Sequence, residues 1–161
     1  MEIPQATGNI YHPDAPWVLI CGPTCIGKTH FCKKHGFFDH YGPNSKEFKN
    51  VPISVWTKPH LHHHNLVTTS NPQYWPTDWY SNQYVIKKIA ILLGAPYNIW
   101  QERVKTRGGD KSLITTSNFY NKYTTWIKNL KKYDIPYILV DNRDEFPILD
   151  EADFLKMLLI E

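Results

Sequence analysis

Trp17-Val18-Leu19-Ile20-Cys21-Gly22-Pro23-Thr24-Cys25-Ile26-Gly27-Lys28-Thr29 is the stretch on which the reading of this 161-residue chain turns. Its first five residues form an unbroken apolar run, the pattern of a strand buried on both faces in a parallel sheet. The next six are bounded by Gly22 and Gly27 and predict a loop. A helix is expected over residues 28–35, with Gly36 placed where a C′ glycine belongs. The loop matches G-x4-G-K-[ST] in full. Each residue type in that pattern has a physical reason. Backbone N–H groups must converge on a phosphate, and glycines permit both the dihedrals and the close approach. The helix start adds its positive dipole end. A lysine at position 28 reaches β- and γ-phosphates, and the Thr29 hydroxyl ligates Mg²⁺. Gly22, Pro23, Thr24, Cys25, Ile26, Gly27, Lys28 and Thr29 are therefore the expected cradle for ATP and Mg²⁺. A random chain of this size matches the pattern with a probability of about 1% or less, so strand, loop and helix in the required order make chance a poor account.

Outward from the loop, the chain alternates between the two periods. Residues 37–41 read as a short second strand closed by Gly42-Pro43, and residues 65–69 as another. Residues 88–93 form an apolar strand ending at Gly94, with Pro96 at the N1 position of the helix that follows. That helix carries Ile99, Trp100, Arg103, Val104 and Arg107, and Gly108-Gly109 breaks it. A helix over residues 117–132 gathers Phe119, Tyr123, Trp126, Ile127 and Leu130 on one face. A last strand is expected at 136–140 and a last helix at 151–160. Such alternation implies right-handed βαβ units: an α/β, three-layer sandwich on a short, mainly parallel sheet of about five strands. The length fits a single domain over residues 1–161, with an irregular lead-in at 1–16, a weakly patterned insertion at 44–84 and a lid-like segment at 103–118.

Composition narrows the class. At 42% hydrophobic and 20% charged the chain can bury a core, which excludes disorder. A net charge of +3 suits a partner bearing phosphates without reaching the density of an architectural DNA binder. No apolar run approaches the roughly 18 residues of a membrane span, and the start lacks the pattern of a signal peptide, so no membrane partner and a cytoplasmic location (host cytoplasm, for a viral protein) are expected. Cys21, Cys25 and Cys32 match no common zinc spacing and read as reduced, small apolar fillers.

The glycine-rich loop is the Walker A sequence, and with its flanks it resembles the P-loop kinases, the group of nucleoside, nucleotide, shikimate and polynucleotide kinases. The passage from Lys88 to Pro96, followed by Trp100-Gln101-Glu102-Arg103-Val104-Lys105-Thr106-Arg107-Gly108-Gly109, is similar to their strand, helix and lid. The resemblance implies a P-loop NTPase/kinase fold and a phosphotransferase in which Arg103 and Arg107, four apart on one helix face, clamp the transferring phosphoryl group. It also implies an acid after the second strand. Asp39 occupies that place, as general base or Mg²⁺ anchor, with a plain turn carboxylate as the alternative. Asn142, in Asp141-Asn142-Arg143-Asp144, falls in what would be the base-binding loop. No strand ends in the paired acids of a typical Walker B, a departure from the group.

The acceptor side is expected in the middle of the chain. His62, His64 and Asn65 form a polar cluster that would touch substrate or simply enter a strand; metal binding there is disfavoured because adjacent imidazoles alternate in direction. Tyr74, Trp75, Trp79, Tyr80 and Tyr84 lie among amide and hydroxyl residues, which suits stacking on a base, with Trp75 and Trp79 as the named candidates, or packing a helix face. Small size, basic charge and this His/aromatic middle resemble the 5-hydroxymethyluracil DNA kinases of tailed phages, which implies a DNA-modification step on the base hydroxymethyl group. A nucleoside or nucleoside monophosphate kinase and a polynucleotide 5′-hydroxyl kinase are the alternatives. The former is disfavoured by the lack of any arginine between the loop and Arg103. A fragment of a viral replication helicase stays open because Leu66-Val67-Thr68-Thr69-Ser70-Asn71 is similar to a polar sensor strand, and so does a nucleotide-binding regulator without catalysis.

Overall fold

A computed structural model describes residues 17–35, 66–69, 88–108 and 115–160. Apolar runs become the centre of an open sheet. β1 (Trp17–Cys21) is followed by α1 (Lys28–Lys34), β2 (Leu66–Thr69), β3 (Lys88–Gly94), α2 (Tyr97–Thr106), α3 (Thr116–Lys132), β4 (Tyr137–Asp141), β5 (Ile148–Leu149) and α4 (Glu151–Leu158). The sheet order is β2-β1-β3-β4-β5. The first four strands in that order are mutually parallel, and β5 closes one edge antiparallel to β4. Cys21 pairs with Thr69 on one side and Leu92 on the other, and Gly94 pairs with Asp141, which brings the carboxyl ends of the four parallel strands to one rim.

The sheet is mainly parallel, as expected: among the described residues four strands are parallel and the two-residue β5 is antiparallel. The expected strand at 37–41 lies outside the described residues. Pro96 is the N-cap of α2 rather than N1, with ψ 142, so the helix starts one residue later. The lid-like segment is largely helical where described, since α2 runs to Thr106 and α3 begins at Thr116.

Side chains explain the helices. Thr115 caps α3 by accepting from Asn118 N, and Asp150 caps α4 by accepting from Asp153 N at 2.8 Å. Each thereby satisfies an otherwise orphaned helix donor. Phe119, Tyr123, Trp126, Ile127 and Leu130 of α3 are all buried, the face its period predicts. Trp100 stacks on Phe119 at 4.9 Å, and Tyr123 meets Phe119, Trp126 and Phe154 edge-on. The Tyr123 hydroxyl donates to Leu93 O at 2.6 Å, tying α3 to the central sheet, and burial pushes that phenol well above its usual pKa. Among the described residues no helix is long and apolar enough to cross a membrane.

Candidate functional site

Between β1 and β3 the chain reverses its direction of growth. From β1 it proceeds to β2 on one side, and β3 then lies on the other side of β1. In open α/β sheets the carboxyl rim at such a reversal is where ligands bind. Residues 22–27 leave β1 there.

The loop is tightly made. Ile26 N donates to Pro23 O at 3.1 Å, and the first helical bond of α1 runs from Phe31 N to Gly27 O at 2.9 Å. Gly22 lies flat against its neighbours: a Cβ there would stand 2.6 Å from Ile26 Cγ2 and 3.2 Å from Leu93 O. Gly27 has φ +102, and a Cβ on it would stand 2.7 Å from Asn142 Nδ2. Cys25 takes φ +71 without being glycine, a conformation that costs a side-chain-bearing residue about 1–3 kcal/mol and persists only where surroundings hold it. The Lys28 ammonium folds back over the loop, donating to Gly22 O at 2.6 Å and Pro23 O at 3.1 Å.

An outer wall surrounds this turn. Trp100 Nε1 donates to Thr24 O at 2.8 Å. Arg103 donates through Nη1 to Ile26 O at 2.8 Å and through Nη2 to Asn142 O at 2.9 Å. Asn142, 2% exposed, donates through Nδ2 to the same Ile26 O at 2.7 Å, while its own N–H donates to Gly94 O at 2.7 Å. Its Oδ1 is buried and has no partner among the described residues. Arg107, one turn beyond Arg103, is exposed and places Nη1 3.6 Å from Cys25 Sγ. Burial lowers the Arg103 pKa and the negative field of Asp141 opposes the shift; a guanidinium stays charged regardless. Asp141 is itself occupied by Arg143, which grips both carboxylate oxygens through Nε and Nη2.

Beyond Asn142, Phe146 sits at φ +54 with its ring 5.6 Å from Phe31 and 5.3 Å from His35, pinning the β4–β5 connection onto α1. Burial lowers the His35 pKa, and its Nε2 is buried without a partner among the described residues.

Of the residues the sequence singles out, the structure brings together 22–29, Arg103, Arg107 and Asn142. Thr29 is exposed at the start of α1. Asp39, His62, His64, Asn65, Trp75 and Trp79 lie outside the described residues. The wall-forming role of Trp100 has no separate signal in the sequence, where a tryptophan in an apolar helix stripe reads as core. Cys21 is a buried filler as expected and burial pushes its thiol far up, whereas Cys25 is only half-buried. Among the described residues no group of three or more His, Cys, Asp and Glu is placed to hold a metal ion. Set against models of protein families, curated proteins and solved structures, the chain matches none.

Proposed function

We propose that the chain is a P-loop kinase, a three-layer α/β phosphotransferase that moves the γ-phosphoryl group of ATP to a nucleic-acid-type acceptor. One observation carries this reading. A loop with the G-x4-G-K-T sequence leaves the central parallel strand at the rim where the sheet reverses, with Gly27 at φ +102 and the Thr24 and Ile26 carbonyls held by donors of α2. The donor set fits a polyphosphate: main-chain amides, the start of α1 and the Lys28 ammonium are complementary to phosphate oxygens. Lys28 would exchange its two carbonyl acceptors for β- and γ-oxygens. Thr29 would hold Mg²⁺, which when bound neutralises charge on the phosphates.

In the transfer itself, an acceptor oxygen bonds to the γ-phosphorus as the bond to the β,γ-bridging oxygen breaks. The electron pair leaves on ADP and the acceptor proton passes to a base, for which Asp39 is the candidate. Arg107, exposed beside the loop, would meet the equatorial oxygens; that both terminal nitrogens of Arg103 already donate to carbonyls supports this choice between the two arginines.

The 5-hydroxymethyl group of 5-hydroxymethyluracil in phage DNA is the first acceptor to test. Incubation with γ-labelled ATP against hydroxymethyluracil-containing duplex, 5′-hydroxyl oligonucleotides, mononucleotides and free nucleosides separates the candidates in one experiment. Label in the duplex alone supports the DNA-base acceptor, and label in another lane moves the assignment there. Phosphate release stimulated by DNA with no labelled acceptor favours the helicase reading, and ATP binding with neither favours a regulator.

A further inference from the structure

We propose that Arg103, Asn142 and Trp100 are positioning residues that aim the phosphate-facing amides of the loop by holding two of its carbonyls on the outer side. The proposal rests on the phosphate-loop reading above and assigns Arg103 a task different from gripping the transferring group.

A trans peptide is planar, with its C=O and N–H on opposite sides, and no cis peptide is found among the described residues. Fixing a carbonyl therefore aims the next residue's amide the other way. Trp100 Nε1 holds Thr24 O, which turns the Cys25 N–H away from α2. Arg103 Nη1 and Asn142 Nδ2 hold Ile26 O, which turns the Gly27 N–H away from the wall. Neither amide donates to an acceptor among the described residues.

The Ile26–Gly27 peptide is the one that most needs holding. A glycine tolerates both signs of φ, so the unit can flip and present its carbonyl oxygen to the phosphate, where it would repel. A carbonyl has two lone pairs, and here each has a donor, one of them cationic. The donors come from separate parts of the chain: Trp100 and Arg103 stand three apart on one face of α2, and Asn142 follows β4. Arg103 also donates to the main-chain carbonyl of Asn142, so the guanidinium steadies the residue whose amide shares Ile26 O.

The experiment uses the whole 161-residue chain and four single variants: Arg103→Met, Arg103→Lys, Asn142→Ala and Trp100→Phe. The last keeps a ring to stack on Phe119 but has no N–H. Binding of MgATP is measured by calorimetry, KM and kcat by transfer kinetics, and the Gly27 amide ¹⁵N resonance by NMR. Losing one charge-assisted bond predicts MgATP affinity weaker by about tenfold or more in Arg103→Met. The loss should appear in Kd and KM rather than in kcat, with partial rescue in Arg103→Lys, which keeps the charge but not the fork. Adding Asn142→Ala to Arg103→Met should be less than additive, because the two share one acceptor. A fall in kcat with affinity unchanged would assign Arg103 to the reacting group and overturn the proposal. Should the natural chain bind no triphosphate, the phosphate-loop reading itself fails. The ligand-free Gly27 resonance then decides: displacement in Arg103→Met upholds the brace, and a stationary signal overturns it.

Discussion

Gly27→Ala tests the loop where its geometry is least forgiving. Two costs follow from the structure. A residue with a side chain at φ +102 is strained by about 1–3 kcal/mol. Its Cβ would also stand 2.7 Å from Asn142 Nδ2, an atom that cannot retreat without leaving Ile26 O. Losing that buried bond adds about 1 kcal/mol, while the lower entropy of the unfolded chain returns up to about 1 kcal/mol. The net expectation is a loss of about 1–4 kcal/mol, or roughly 2–16 °C in Tm for a chain of this size. Thermal and urea melts of Gly27→Ala, Asn142→Ala and the double variant measure it. If contact with the amide matters, the Gly27→Ala cost must shrink in the Asn142→Ala background. A Gly27→Ala protein that melts with the natural chain, or costs that simply add, would refute the reasoning.

Lys28→Ala should lower phosphoryl transfer by about 10²–10³-fold while the far-ultraviolet dichroism stays unchanged; natural turnover would dismiss the loop as the phosphate site. Tyr123→Phe removes the buried bond to Leu93 O and should cost about 1–2 kcal/mol, seen as a fall of about 2–8 °C in Tm. An unshifted melt would show that the hydroxyl contributes nothing. His35 makes stability depend on pH in a definite direction. Its folded pKa lies below its unfolded value of about 6.5, so the unfolded chain takes up the proton first and stability declines as pH falls below that value. His35→Phe, which keeps a ring between Phe31 and Phe146, should lose less stability than the natural chain between pH 7.5 and pH 5.5 by urea titration. An equal loss in both proteins would show that this imidazole is not the titrating group.

The legible parts of the fold are those whose signal is long and repeated. β1, β3 and β4 are read from runs of apolar residues, and the α3 face from five buried positions at helical spacing. β5 escapes because Ile148-Leu149, two residues between Pro147 and Asp150, is shorter than any pattern. Pro96 misleads by one position because a fixed φ suits N1 and N-cap alike, and only its ψ separates them. In the site, the loop and the shared face of Arg103 and Arg107 are readable from spacing. What those arginines meet is not, because it depends on β3 and β4 lining up beside β1. Asn142 shows the limit most clearly: nothing local to Asp141-Asn142-Arg143-Asp144 indicates that its amide will support a carbonyl 116 positions earlier.

That separation has a consequence for how the protein comes into being. Residues 22–29 leave the ribosome long before Trp100, Arg103 and Asn142, which are respectively 76, 77 and 116 positions downstream of the carbonyls they hold. A nascent chain carrying the complete motif has its local bonds but lacks these three outer braces until two later strands have been synthesised and docked. Polyphosphate capture would then be acquired in a late step of maturation, and a bound nucleotide would favour the finished fold over every partly assembled form.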